Sequence, residues 1–175
     1  MLKFLGILIV ALLAVVGVMI VTAPDEFRVE RTAHISAPPE KVFALVEDFH
    51  HWNAWSPWEK LDPTLKRGFE GAEHGKGAVY TWQGNDQVGQ GRMEILEAFS
   101  PSKVTIKLDF LKPFESHNTA EFNIAAVGDG TDITWSMHGP NNLVSKAMHL
   151  FFNMDKLVGK DFDNGLKNMK AVAEK

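Results

Sequence analysis

Residues 27–49, FRVERTAHISAPPEKVFALVEDF, contain the change of pattern that decides the fold. Apolar and polar residues alternate over residues 27–35, which is typical of a strand with one buried face. The prolines at positions 38 and 39 then open a helix, because proline is tolerated in a first helical turn, and Glu40 suits its positive end. This stretch therefore predicts a strand followed by a short helix that ends near Phe49.

A series of short strands follows this helix. Glycine, proline and aspartate separate them, and connections this short join antiparallel neighbours as hairpins. The predicted strands are residues 64–70, 78–83, 89–97, 103–110, 117–125 and 132–138. The sequence thus predicts an antiparallel sheet with one apolar face.

After Gly139 and Pro140 the apolar residues adopt helical spacing, from residue 142 to about residue 173. An antiparallel sheet must cover its apolar face, and this helix is the only predicted element large enough to do so. A curved sheet around one helix encloses space that is hard to fill. We therefore predict an α+β fold with a cavity between the sheet and the C-terminal helix.

Residues 4–23, FLGILIVALLAVVGVMIVTA, carry no charge. A helix of this length spans roughly 30 Å, the thickness of a bilayer's hydrocarbon core. The segment is longer than the apolar region of a signal peptide, usually ~7–15 residues, and Pro24 would obstruct cleavage after it. We expect residues 1–26 to form an uncleaved membrane anchor with a short linker, and residues 27–175 to form one domain. A cleaved signal peptide and a buried core helix are the alternatives.

The charges that flank this segment predict its orientation. Lys3 precedes it, whereas Asp25 and Glu26 follow it. The positive-inside rule then keeps the N-terminus in the cytoplasm. We expect a single-pass protein of the cytoplasmic membrane with its soluble domain outside the cytoplasm, in a periplasm or at the cell surface.

Composition and motifs disfavour several classes of function. The net charge is −4 and no run of lysine or arginine occurs, so we expect no nucleic-acid partner. The absence of cysteine removes disulfides and thiolate nucleophiles. The histidines at positions 50 and 51 lie beside Asp48 without a third ligand at metal-binding spacing, and no nucleophile elbow or phosphate loop occurs. We expect neither a metal nor a cofactor.

The run ISAPPEKVF at residues 35–43, followed by Asp48 and Trp52, resembles the opening of the SRPBCC superfamily. These helix-grip proteins include START lipid-transfer domains, the major birch-pollen allergen and polyketide cyclase/dehydrase-like proteins. GKGAVYTW at residues 75–82 resembles the bacterial membrane-anchored members. The resemblance covers residues 27–173 and implies a helix-grip fold with a cavity for a lipid, a polyketide or another apolar ligand. Fold alone does not determine function.

Aromatic residues and methionines on the predicted inward faces are the candidate ligand contacts. Such side chains are typical of an adaptable apolar pocket, and they are equally typical of a packed core. The candidates on the strands are Tyr80, Trp82, Phe110, Phe122, Trp135 and Met137. The candidates on the C-terminal helix are Met154, Asp161 and Gly165.

Gly165 falls at the centre of the apolar stripe of that helix, and Asp161 falls at its edge. Glycine inside a helix costs up to ~1 kcal/mol relative to alanine, so a structural reason for it is expected. One interpretation is free volume above Gly165, with Asp161 as a polar anchor for a ligand. The other is close contact between Gly165 and an aromatic ring of the sheet, with Asp161 reaching solvent.

Three tryptophans, at positions 52, 55 and 58, follow the first domain helix closely. They fit a lid over the cavity mouth, a contact with the membrane interface, or a packed corner, since the indole ring is apolar and its N–H is polar.

These observations favour non-enzymatic binding of a hydrophobic small molecule or lipid by a membrane-anchored domain. The first alternative is a cyclase or dehydratase, for which Tyr80, Asp161 and His138 are the candidate acid–base groups. It requires a buried ionisable group inside the cavity. The second is a protein-interaction module, which requires a filled core and an exposed apolar patch.

Overall fold

The computed structural model describes residues 2–141, 143, 145–147 and 154–175, and for Leu2 and Met154 it describes the backbone alone. The helices are α1 (Leu2–Thr22), α2 (Pro39–Glu47) and α3 (Met154–Ala173), with 3-10 helices at Phe49–Ala54 and Pro57–Lys60. The strands are β1 (Glu26–Ile35), β2 (Lys66–Gly71), β3 (Ala78–Gln83), β4 (Gln90–Phe99), β5 (Lys103–Lys112), β6 (Ser116–Val127) and β7 (Gly130–Pro140).

The seven strands form one curved antiparallel sheet in the order β1-β7-β6-β5-β4-β3-β2. Strands β2 to β7 pair with their neighbours in sequence. Strand β1 lies at the edge of the sheet and pairs with β7, so that Glu26 lies opposite Pro140. The term anchored end is used below for the end of the sheet at which β1 begins. Because neighbouring strands alternate in direction, the β3–β4 and β5–β6 connections and the end of β7 also lie at the anchored end.

Helix α3 runs along β1 in the same direction, and polar contacts hold it there. The guanidinium of Arg31 in β1 bonds Asp155 (Nη1–Oδ1 2.8 Å) and Asp163 (Nε–Oδ2 3.4 Å) of α3. Near the other end of β1, the amine of Lys170 donates to the carbonyl of His34 at 2.9 Å. The first turns of α3 therefore lie toward the anchored end.

The interior far from the anchored end is filled. Alternate residues of β5, β6 and β7 point inward and pack under α2, as the alternation in the sequence predicts. Trp52 and Trp55 belong to this packed corner, because both are buried and their indole N–H groups donate to the carbonyls of Val46 (3.0 Å) and Leu45 (2.8 Å) of α2.

The prediction of an α+β helix-grip fold is confirmed. The predicted strands are present, most with ends shifted by one or two residues. The C-terminal helix is confirmed over Met154–Ala173, and residues 143 and 145–147 are also helical. Positions 142, 144 and 148–153 of that prediction lie outside the described residues.

The N-terminal apolar segment forms the continuous helix α1. Residues Lys3–Thr22 have a mean hydropathy of 3.2, and none of this segment is buried against the domain. The helix is long and apolar enough to be a membrane span or a signal anchor. The alternative of a buried core helix is wrong, because α1 packs against nothing in the described structure.

Candidate ligand cavity

A cavity of about 210 Å³ lies between the inner face of the sheet and the first turns of α3. Its walls are mostly aromatic and aliphatic, and a few polar side chains join them. Strands β3 to β7 contribute Tyr80, Trp82, Met93, Leu108, Phe110, Ala120, Trp135 and Met137. The 3-10 helices and connections contribute Trp52, Ser56, Trp58, Glu59, Leu65, Gln87 and Val88, and α3 contributes Val158, Asp161 and Phe162. The cavity therefore lies where the sequence analysis expects one.

A stack of three rings forms the floor of the cavity toward α3. Trp135 lies between Phe122 (centroids 5.0 Å apart, planes at 26°) and Phe162 (4.0 Å, 7°). Trp58 stands perpendicular to Trp135, with centroids 5.7 Å apart and planes at 90°. Stacked and perpendicular pairs of this kind are favourable arrangements of aromatic quadrupoles, so they stabilise the floor.

A buried polar cluster occupies one wall. The phenol of Tyr80 donates to Oε1 of Glu59 at 2.5 Å, and Oε2 of Glu59 accepts from Nε of Arg67 at 2.6 Å. The side chain of Glu59 is only 8% exposed. Burial, and then the neighbouring Glu59 carboxylate, raise the pKa of Tyr80 well above its ordinary value. Tyr80 is therefore a neutral donor at physiological pH, and its hydrogen is already committed to Glu59.

Asp161 brings an uncommitted polar group to the same cavity, and Trp135 holds another one buried in the wall. Burial raises the pKa of Asp161, the nearby charge of Lys160 opposes this shift, and no hydrogen bond to its carboxyl occurs within the described structure. The indole Nε1 of Trp135 is buried and has no acceptor among the described residues. A buried donor without a partner costs free energy, so this indole N–H is an unsatisfied polar group inside the wall.

Six of the nine predicted ligand contacts line the cavity. They are Tyr80, Trp82, Phe110, Trp135, Met137 and Asp161. Phe122 does not line it, because this residue is fully buried beneath Trp135. The side chain of Met154 lies outside the described residues.

The interpretation of Gly165 as free volume is wrong. A Cβ at this position would lie 2.7 Å from Cζ3 of Trp135 and 3.2 Å from Cδ of Pro57. Gly165 therefore permits close contact between α3 and a sheet aromatic, which is the second interpretation of the sequence. Asp161 lies one turn earlier, at the cavity, as the first interpretation expects.

Glu59 and Trp58 are cavity residues that the sequence analysis did not name as ligand contacts. Trp58 belongs to the tryptophan cluster, but periodicity gives no direction for a side chain in a 3-10 turn. The sequence does not predict Glu59 as a cavity residue, because a glutamate between Trp58 and Lys60 is typical of an exposed surface position. Only its pairing with Arg67, eight residues away, and with Tyr80, 21 residues away, reveals it.

His138 and the histidine pair lie outside the cavity. His138 was a candidate acid–base group, but it lies on the outer face of β7, between the inward-facing Met137 and Gly139, and does not line the cavity. Asp48 caps the 3-10 turn by accepting from the backbone N–H of His50 (2.8 Å), and the imidazole of His50 contacts the same carboxylate (Nδ1–Oδ1 2.8 Å) and stacks on Phe69. Within the described ranges, no three histidine, aspartate or glutamate side chains are grouped closely enough to hold a metal ion.

Comparison with known proteins places this geometry in a family. Residues 26–174 match the family described as polyketide cyclase / dehydrase and lipid transport. No curated protein matches the sequence.

Solved structures share the fold at low identity. Protein CV1439 from Chromobacterium violaceum matches with a TM-score of 0.60 and 15% identity, over 87% of this chain and 99% of that one. Major latex-like protein 151 from Panax ginseng matches with a TM-score of 0.61 and 15% identity, over 86% and 99%. The di-domain ARO/CYC BexL from the BE-7585A biosynthetic pathway matches with a TM-score of 0.65 and 15% identity, over 90% of this chain and 53% of BexL. At these identities the structures support the fold alone, and the family match over residues 26–174 is the stronger finding. The chain belongs to the polyketide cyclase / dehydrase and lipid transport family, within the helix-grip proteins of SRPBCC type.

Proposed function

We propose that this protein binds a small, largely apolar molecule in the cavity between the sheet and α3, without transforming it, while α1 holds the domain at a membrane. The observation that carries the proposal is the cavity itself, which has aromatic and methionine walls and a few polar groups. Mostly apolar walls with a few placed polar groups are typical of small-molecule sites.

The volume of the cavity limits the size of the ligand. At about 210 Å³ it is smaller than the ~300–1,000 Å³ of sites for drug-sized ligands. It is larger than an apolar cavity of ~150 Å³ that takes up benzene. We therefore expect a molecule with one or two rings, or a short acyl segment, and not a complete two-chain lipid.

The polar groups predict how the ligand is oriented. The Nε1 of Trp135 is a buried donor within the wall and has no acceptor among the described residues. The carboxyl of Asp161 offers an acceptor to a hydroxyl or amine at the same cavity. The lining residues include no lysine or arginine, so an anionic group on the ligand would lack a partner there among the described residues. We therefore expect a neutral or cationic ligand with a hydrogen-bond donor that faces Asp161.

The membrane part of the proposal rests on α1 and its flanks. The helix is unburied and has no charged residue after Lys3, and residues 1–26 supply anchor and linker for the domain of residues 27–175. Lys3 in the first turn of the helix, and Asp25 and Glu26 after it, favour a domain outside the cytoplasm.

A second candidate function is a cyclase or dehydratase, and one observation favours it. The cavity holds the buried carboxylate of Glu59 bonded to Tyr80, together with Asp161, whose pKa is raised. A carboxyl with a raised pKa in a cavity is better suited to proton transfer than one on the surface. The third candidate, a protein-interaction module, requires a filled core, and the cavity disfavours it.

Energy transfer from tryptophan to a neutral naphthylamine probe tests the binding. Four of the five tryptophans line the cavity, so a bound probe lies next to several donors. We expect saturable transfer in the full chain in detergent and its loss in Ala120→Leu, which adds bulk at the cavity wall. The matched control is Ala125→Leu, on the exposed side of the same strand. Equal transfer in both variants would contradict cavity binding.

Two further variants, Asp161→Asn and Tyr80→Phe, separate binding from catalysis. If the protein is an enzyme, Asp161→Asn and Tyr80→Phe retain the unreacted molecule. The wild type converts that molecule and releases a product of different mass, for example one that has lost a water molecule. If the protein only binds, all three forms carry the same molecule.

A further inference from the structure

We propose that the anchored end of the domain rests on the bilayer that holds α1, so that the cavity opens toward lipid and its ligand enters from the membrane. This inference rests on the membrane-anchor part of the proposed function. It adds a defined contact surface and a route of entry.

The connection between α1 and the domain is too short to let the domain move away. Helix α1 ends at Thr22 and β1 begins at Glu26. A fully extended chain advances ~3.3–3.6 Å per residue, so this step spans at most about 14 Å. The start of β1 therefore lies within that distance of the end of α1.

Hydrogen bonds also fix the linker to the domain. The backbone N–H of Asn141 donates to the carbonyl of Asp25 at 2.7 Å, and the side-chain amide of Asn141 donates to the carbonyl of Pro24 at 3.1 Å. The buried amine of Lys146 bonds the carboxylate of Asp25 at 2.6 Å, and this bond lowers the pKa of Asp25. Pro24 and Asp25, the two residues before β1, are thus both bonded to the segment that follows β7. These bonds restrict rotation of the domain about the linker.

Exposed apolar side chains surround this attachment point. Phe114, on the β5–β6 connection, is 67% exposed, and Leu143, two residues after Asn141, is 65% exposed. Leu111 at the end of β5 and Leu157 in the first turn of α3 are exposed as well. Single exposed apolar residues are ordinary, but these four lie at the end of the sheet that α1 holds at the membrane.

The mouth of the cavity lies at the same end. Gln87 and Val88, on the β3–β4 connection, are exposed or half-buried members of its lining, and so are Val158 and Asp161 in the first turns of α3. Members farther from the anchored end, such as Met93, are buried. A molecule leaving the cavity therefore emerges beside the anchor.

A lipid surface is the partner that fits these features. Its position next to the anchored end follows from α1 itself, whereas a protein partner would need recognition that no described residue indicates. Leucine and phenylalanine at the tips of separate connections gain free energy by entering the boundary between headgroups and acyl chains. An apolar ligand dissolved in the bilayer would then reach the cavity without crossing water.

The absence of cysteine from the chain permits a clean test with single-cysteine variants. Phe114→Cys and Leu143→Cys carry an environment-sensitive fluorophore, and Phe99→Cys and Val127→Cys are matched controls. Phe99 and Val127 are 57% and 45% exposed, and they lie at the opposite end of the sheet. The labelled full chain is placed in phosphatidylcholine vesicles that contain a lipid with a nitroxide on its acyl chain.

We expect the fluorophores at positions 114 and 143 to be quenched by the nitroxide several-fold more than those at 99 and 127. Equal quenching at all four positions, in protein that floats with the vesicles, would overturn the proposed contact while leaving the anchor intact. Protein that does not float with vesicles would overturn the anchor and this inference together. Probe transfer from the tryptophans, measured on each labelled variant, confirms that its domain is folded and reports on cavity binding separately.

Discussion

The backbone of Gly165 lies so close to the indole of Trp135 that a Cβ at position 165 would lie 2.7 Å from Cζ3. This contact fixes the distance between α3 and the sheet. One turn earlier, Phe162 stacks on the same indole, and Asp161 lies at the cavity. Gly165 therefore supports the floor of the cavity and contributes no volume to it.

Replacing Gly165 by alanine should destabilise the domain. The overlap with a rigid ring costs about 1–3 kcal/mol, and the better helix propensity of alanine returns up to ~1 kcal/mol, so we expect a net loss of about 1–2 kcal/mol. The measurement is urea unfolding of the full chain in detergent, followed by tryptophan fluorescence.

Gly159→Ala is the matched control on the same helix. A Cβ at position 159 would also collide, but with the guanidinium of Arg31, which is the end of a flexible side chain. Moving it weakens surface ion pairs worth ~0–1 kcal/mol, and the gain in helix propensity offsets this. Equal losses in the two variants would contradict the role of Trp135.

Titration of Tyr80 tests the buried polar cluster. It is the only tyrosine in the chain, so tyrosinate absorbance reports this residue alone. Burial and the Glu59 carboxylate raise its pKa, so the folded protein should form no tyrosinate near pH ~10, where the unfolded chain ionises. Glu59→Gln should lower the pKa of Tyr80 while leaving it above its ordinary value, because burial is the larger cause. Ionisation of the folded wild type near pH ~10 would contradict the Tyr80–Glu59 bond.

The same shift predicts how stability depends on alkaline pH. Above pH ~10 the unfolded state loses the Tyr80 proton and the folded state retains it. The unfolded state then binds fewer protons, so the free energy of unfolding should fall as pH rises through this range. Tyr80→Phe should remove this component of the pH dependence, and an unchanged alkaline slope would count against the assignment.

Asp161→Asn should stabilise the protein at neutral pH. Burial raises the pKa of Asp161 in the folded state, so the folded state binds more protons than the unfolded state just above pH ~4. Stability contributed by this residue therefore falls as pH rises through that window, and the amide variant avoids the loss. The gain should vanish below pH ~4.

Asp163→Asn provides the comparison for Asp161→Asn. Asp163 lies two residues later in α3, but it is exposed and contacts Arg31. Its replacement should remove a weak surface ion pair and give no gain at neutral pH. A gain at both positions would indicate a general effect of reducing negative charge on α3.

Much of the fold follows from periodicity in the sequence. The alternation in residues 27–35 and the helical spacing after Pro140 predict β1, the sheet and α3, since one buried face requires a period of two in a strand and 3.6 in a helix. The inward faces predict six of the cavity-lining residues for the same reason.

The rest depends on contacts between residues far apart in the chain. Periodicity assigns Phe122 and Trp135 to the same face, but it does not show that one ring covers the other. It also does not predict the hydrogen bond between Glu59 and Tyr80. Nor does it show whether Gly165 packs against an aromatic ring or faces free volume. Such pairings depend on the curvature of the sheet and on the path of the 3-10 turns, which local sequence does not determine.

Native mass spectrometry of the full chain tests the central claim most directly. The wild type, Ala120→Leu and Ala125→Leu are extracted gently from membranes, and detergent is removed in the gas phase. We expect one reproducible added mass on the wild type and on Ala125→Leu. This mass should be that of a molecule with one or two rings or a short acyl chain. The same mass should be absent from Ala120→Leu. A bare wild-type protein that also gives no energy transfer to the naphthylamine probe, or an added mass that persists in Ala120→Leu, would contradict a ligand in this cavity.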